Sequence, residues 1–138
     1  MQHEKRGIVQ EFLAGNGSTL PIMNSTTTAR WTLAAGLAFV FLWFGIDKFI
    51  HPLVWIGWIP KSFDGLIGLN SHVWLQLIGA TEVGLGILVL VPHRLAQKVA
   101  SLFITLHLSA ILTQVGWNDI AVRDIGLLCS SVALWYLI

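Results

Sequence analysis

Charge is what this sequence has least of. Only 11% of its 138 residues are Asp, Glu, Lys or Arg, against about a quarter in soluble domains. A surface that poor in charge does not hold a folded chain in water. The formal net charge of +1 gives no electrostatic basis for binding nucleic acid. Cysteine is nearly absent too. Cys129 stands alone, which excludes an internal disulfide and any C-x-x-C redox or zinc site. Residues 1–27 are mostly polar, and the long apolar run starts only after Arg30, so a secretory signal is not expected.

What is abundant is apolar. Hydrophobic residues make up 55% of the chain, and the mean hydropathy is +0.74. A helix needs about 20 apolar residues to cross a bilayer. Four stretches qualify, at about 31–50, 71–91, 95–115 and 121–138. Four all-apolar helices in succession leave no polar face for water. The expected fold is therefore all-α, an integral membrane antiparallel four-helix bundle occupying residues 28–138. Short links, PHR between the second and third spans and GWND between the third and fourth, make neighbouring helices antiparallel.

The link at 51–70 is longer and carries Trp55, Trp58 and Phe63. Tryptophan favours the headgroup level, so an interfacial or re-entrant loop is expected. Residues 1–27 read as a polar segment, interfacial or disordered, with Ile8, Val9, Phe12 and Leu13 on one face of a short helix. Lys5, Arg6, Arg30, Arg94 and Lys98 fall on one side of the spans, against Lys48, Lys61 and Arg123 on the other. That bias predicts a multi-pass protein of the cell (inner) membrane with both termini cytoplasmic.

Helices in lipid associate through small residues. The expected packing faces hold Ala34, Ala38 and Gly45, then Gly79 and Gly86. Next come Ser101, Thr105, Ser109 and Thr113, and last Gly126, Cys129, Ser130 and Ala133. On the last face Cys129 reads as a small buried hydrophobe.

Packing does not explain the charges within the spans. A charge at a bilayer centre costs at least ~2.5 kcal/mol. Glu82 lies ~16 Å into the second span and His107 ~18 Å into the third, at 1.5 Å per residue. Both therefore fall near the midplane, with Gln114 on the His107 face. They read either as a proton-handling or ligand-binding pair, or as a structural interhelical hydrogen bond with Glu82 carrying its proton. A second cluster gathers at the outer end: Asp47, Lys48, His51, His72, Arg123 and Asp124. It reads either as interfacial snorkelling or as a polar mouth for a small anion or a quinone headgroup. Lys48 and Arg123 would orient an oxygen there, and Phe49, Trp55 and Trp74 would cover a ring. A single mid-span histidine argues against haem. No ligand spacing fixes a metal at Asp47, His51 and His72, and no cofactor motif is evident.

The segment GIDKFIHP, Gly45 to Pro52, resembles the G-x-x-K-F motif of the DoxX family of small four-span membrane proteins. The glutamate of ATEVGLGILVLVP and the charged entry to the last span at Arg123 and Asp124 fit the same pattern. The resemblance covers about Arg30 to Ile138 and carries over Gly45, Lys48, Glu82 and Asp124. It implies a membrane subunit or accessory of a quinone-linked redox system, receiving electrons from a partner protein. The DoxD relative is the membrane subunit of a thiosulfate:quinone oxidoreductase. Without a cysteine pair, the thiol-disulfide chemistry of some four-helix membrane relatives is not expected. The alternatives are a non-catalytic assembly or scaffold protein, and a small transporter whose path would require a homo-oligomer.

Overall fold

The structure, a computed structural model, describes residues 25–138. The expectations for the N-terminal segment up to residue 24, including the helix face at 8–13 and the charges of Lys5 and Arg6, lie outside the described residues. The chain forms α1 (Ser25–Ile50), a short α2 (Pro52–Trp55), α3 (Ser71–Leu90), α4 (Arg94–Val115) and α5 (Asp119–Leu137). Among the described residues there is no strand. All four long helices are long and apolar enough to cross a membrane.

The helix boundaries follow local chemistry. α1 begins six residues before the expected Trp31, and so includes residues 25–27 of the presumed polar segment. Thr32 Oγ1 donates to the Thr28 carbonyl at 2.9 Å, so that hydroxyl is satisfied within the helix itself. Asn70 caps α3 by accepting from the Val73 amide at 2.9 Å, and Asn118 caps α5 by accepting from the Ala121 amide at 3.0 Å. Such caps satisfy backbone donors that the first turn leaves open. Gly116, at φ +66°, ends α4 in a conformation that glycine adopts without strain.

Each long helix buries one stripe, with steps of three and four residues. In α1 it is Ala34, Leu37, Ala38, Phe41, Gly45 and Lys48. In α3 it is Leu75, Gly79, Glu82, Leu85, Gly86 and Val89. The seam between these two is the tightest. A Cβ added at Gly45 would stand 2.9 Å from the Gly79 carbonyl oxygen, and one at Gly79 would stand 3.0 Å from that of Gly45. Only paired glycines let two backbones come this close.

The stripe of α4 is Gln97, Ala100, Ser101, Ile104 and Leu108, with Thr105 and Ser109 half-buried and Thr113 exposed. In α5 the small-residue expectation fails. The buried residues are Ala121, Asp124, Ser131 and Leu134, while Gly126, Cys129 and Ala133 are exposed and Ser130 is half-buried. Polar ties select the face instead. Ser101 Oγ donates to the Ser131 carbonyl at 2.5 Å, and Thr105 Oγ1 lies 2.8 Å from Ser131 Oγ.

The apolar core fills only half of the bundle. It comprises Ala34, Leu37, Ala38, Phe41, Leu85, Val89, Ala100, Ile104, Leu108 and Leu134. Gln97 Nε2 donates to the Val89 carbonyl at 3.1 Å at this filled end. Beyond Phe41 and Leu108 the helices enclose a cavity. The loop at 51–70 folds over that end through α2 and three single 3-10 turns, at Ile56–Trp58, Lys61–Phe63 and Leu66–Gly68.

Candidate functional site

The cavity has a volume of about 280 Å³. Its walls are mainly apolar: Phe41 and Phe44 of α1, Leu75 and Ile78 of α3, Ile111 of α4, Leu127 of α5, and Trp55, Trp58, Ile59, Pro60 and Phe63 from the loop. Six polar side chains also line it: Lys48, Glu82, His107, Gln114, Arg123 and Asp124. The central pair and part of the outer cluster thus border one space.

Glu82 is the hub. It is 5% exposed, and Lys48 is 7% exposed. Lys48 Nζ donates to Glu82 Oε2 at 2.5 Å, and His107 Nε2 is hydrogen-bonded to Glu82 Oε1 at 3.1 Å. The expected meeting of Glu82 with His107 is therefore present, and Lys48 joins it as a third member. Counting residues along each span placed Lys48 in the outer cluster. Its Cα does sit in the last turn of α1. Helical side chains lean toward their own N-terminus, however, and the lysine stem lies back toward Phe44, whose carbonyl is 3.4 Å from Nζ. There Nζ reaches Glu82 Oε2.

The Lys48 ammonium also stands 4.4 Å from the centre of the Trp55 ring. Trp55 is fixed from behind. Its indole Nε1 donates to Asp47 Oδ2 at 2.7 Å, while Asp47 Oδ1 holds His51 Nδ1 at 2.7 Å. Asp47 and His51 therefore do not line the cavity; they position a residue that does. His51 is 60% exposed at its side chain. His72 is exposed and contributes nothing to the lining.

The second charge pair is contributed by α5. Asp124 is 1% exposed, and Arg123 Nε and Nη2 each lie 2.8 Å from its Oδ1. The guanidinium carbon is 4.3 Å from the Phe44 ring centre, and the edge of Phe44 meets Trp55 at 5.4 Å between centroids. Each stacking contact of this kind adds roughly 0.5–1.5 kcal/mol. They join the two charge pairs through one aromatic wall.

Among the aromatics expected to cover a ring, Trp55 lines the cavity. Trp74 instead meets Phe63 edge-on at 5.1 Å, and Phe49 is exposed. Phe41 and Phe44 were not singled out by the sequence reading. Their signal was available: they precede Lys48 by seven and four residues, on its own face.

Chemically, the cavity offers a ring-sized apolar space with cationic donors and a carboxylate-imidazole pair at its wall. Ligand pockets commonly span ~300–1,000 Å³, so the space is at the small end and suits a headgroup. Lys48, His107 and Arg123 place nitrogen-bearing side chains along the aromatic wall of this space. Comparison with family models, curated proteins and solved structures finds no match.

Proposed function

We propose that this is a multi-pass membrane protein of the DoxX type that binds a quinone-like headgroup, as the membrane subunit or accessory of a redox system. The observation that carries the reading is the aromatic-walled cavity bordered by Lys48, Glu82, His107, Arg123 and Asp124. Three of the four residues carried over by resemblance, Lys48, Glu82 and Asp124, line it. The fourth, Gly45, is in the close contact that brings α1 against α3. Electrons would come from a partner protein.

Membrane insertion is favoured by the outward face, which presents Phe39, Trp43, Ile87, Phe103, Leu106 and Trp135. An antiparallel order accounts for the pairing of Gly45 with Gly79, and of Arg94 with the carbonyl of Ile138. Lys48 and Arg123 are engaged with acids inside the cavity wall. The charge bias in the sequence, Lys5, Arg6, Arg30, Arg94 and Lys98 against Lys48, Lys61 and Arg123, favours cytoplasmic termini in the cell membrane, the more so with Lys48 and Arg123 paired.

The test is thermal stability of the protein in detergent against a series of quinones. A concentration-dependent rise in Tm that disappears in Lys48→Ala supports the reading, and no rise with any of several quinones rejects it. A second reading, a non-catalytic scaffold, is favoured by one fact: both Glu82 oxygens are already engaged. It predicts stability loss in Glu82 variants with no ligand effect at all. A transporter is favoured less, because the packed core from Phe41 to Leu134 closes the cavity at its inner side.

A further inference from the structure

The cavity is not sealed on all sides, and its opening has a direction. Of the residues that line it, Trp58, Ala110 and Gln114 are exposed. Ala110 and Gln114 lie on α4, three and seven residues after His107, on the edge of that helix that faces α3. Glu82 and Ile78 border the cavity from α3 on the other side of this seam. Along the α1–α5 seam, by contrast, the lining residues Val40, Phe44, Ile120, Arg123 and Leu127 are all half-buried. Apart from Trp58 in the loop, the exposed lining residues therefore both sit on α4 at its seam with α3, where Ala110 is the smallest side chain in the wall.

We infer that the ligand is an amphiphile dissolved in the bilayer, whose headgroup enters sideways between α3 and α4 past Ala110 and whose chain stays outside in the seam. The inference rests on the headgroup reading above and adds the ligand class and the route. Size supports it. A space of about 280 Å³ holds a substituted ring but not a long isoprenoid or alkyl chain as well. The surroundings support it too. Leu106, one helical turn before Ala110, and Leu77, next in sequence to the lining residue Ile78, are exposed and apolar, a surface suited to a chain and not to water. Gln114, whose amide Nε2 donates to Thr113 Oγ1 at 3.2 Å, adds a polar group to this exposed part of the lining.

The experiment uses the full-length protein in lipid nanodiscs, with empty nanodiscs subtracted. Two probes are compared: 2,3-dimethoxy-5-methyl-benzoquinone without a chain, and the same ring bearing a decyl chain. The wild-type protein is expected to bind the decyl compound at least tenfold more tightly. Ala110→Trp fills the gap and is expected to reduce the decyl compound's advantage over the chainless ring to less than threefold. Ala110→Leu, a milder change should the tryptophan disturb folding, is expected to reduce the advantage partially. If the chain advantage survives in folded Ala110→Trp and Ala110→Leu, the route is wrong although the site stands. If the chainless ring binds wild type and the chain adds nothing, the ligand class is wrong. If neither compound binds, the headgroup reading falls and this inference with it.

Discussion

Lys48 and Glu82, 34 positions apart in the chain, meet at 2.5 Å in a place where neither is exposed to any appreciable degree. A charge isolated in such surroundings is costly, so each residue makes the other tolerable. Removing one partner of a buried pair costs about 3–5 kcal/mol, whereas removing both is often nearly neutral. Lys48→Met is therefore expected to destabilise the protein by about 3 kcal/mol. Lys48→Met combined with Glu82→Gln should recover at least half of that loss. Unfolding titrations in detergent for the two single variants and the double variant measure the coupling. Additive losses would show that charge pairing is not what holds the contact.

Gly45 and Gly36 make opposite predictions on the same helix. A Cβ at Gly45 would stand 2.8 Å from Val83 Cγ2 and 2.9 Å from a backbone oxygen, whereas one at Gly36 meets nothing within 4 Å. Gly45→Ala should cost about 1–3 kcal/mol, as overpacking does, and should weaken ligand binding by moving Lys48. Gly36→Ala should be neutral or stabilising by up to ~1 kcal/mol through helix propensity. Melting temperatures of the two variants side by side check this.

Arg123 and Asp124 are paired but not equivalent. The Arg123 side chain is 36% exposed and that of Asp124 is 2% exposed. Loss of the arginine strands a buried carboxylate. Loss of the carboxylate charge leaves an arginine that can reach outward. Arg123→Ala is expected to destabilise more than Asp124→Asn, by on the order of 2 kcal/mol. Equal losses in the same unfolding assay would contradict the asymmetry.

Trp55 contributes a ring over Lys48 and an indole N–H to Asp47. Trp55→Phe keeps an aromatic face and loses the hydrogen bond; Trp55→Ala loses both. If the ring shapes the cavity, headgroup affinity should fall about threefold in the first and tenfold or more in the second, consistent with roughly 1 kcal/mol per aromatic contact. Titration of the chainless quinone into each variant decides it.

The four helices were legible because a long apolar run has few other uses, and the Glu82–His107 meeting was legible because depth along a helix follows from residue count. Lys48 lines the same cavity as Arg123 and Asp124 of its cluster, but its bond to Glu82 was not legible, for an instructive reason. Residue count locates the Cα, but a lysine carries its charge several ångströms further, along the lean of its side chain. On α5, small size does not mark the interior face: Gly126, Cys129 and Ala133 are exposed. Its interior row instead runs through Asp124 and Ser131, whose partners lie on the cavity wall and on α4. The role of the loop was only half visible. Trp55 was legible as a cover for a ring, but nothing in the local sequence said that Trp58 and Phe63 would line the cavity with it.

The division of the bundle into a filled half and a hollow half also bears on how the protein can change. Stability resides in residues such as Ala34, Leu37, Ile104 and Leu134, none of which borders the cavity. Side chains such as Ile59, Ile78 and Ile111 border it without belonging to the buried core. A lineage, or a designer, can therefore alter ligand preference at the second set while leaving the first untouched. Selectivity and foldability can then drift separately within one short chain.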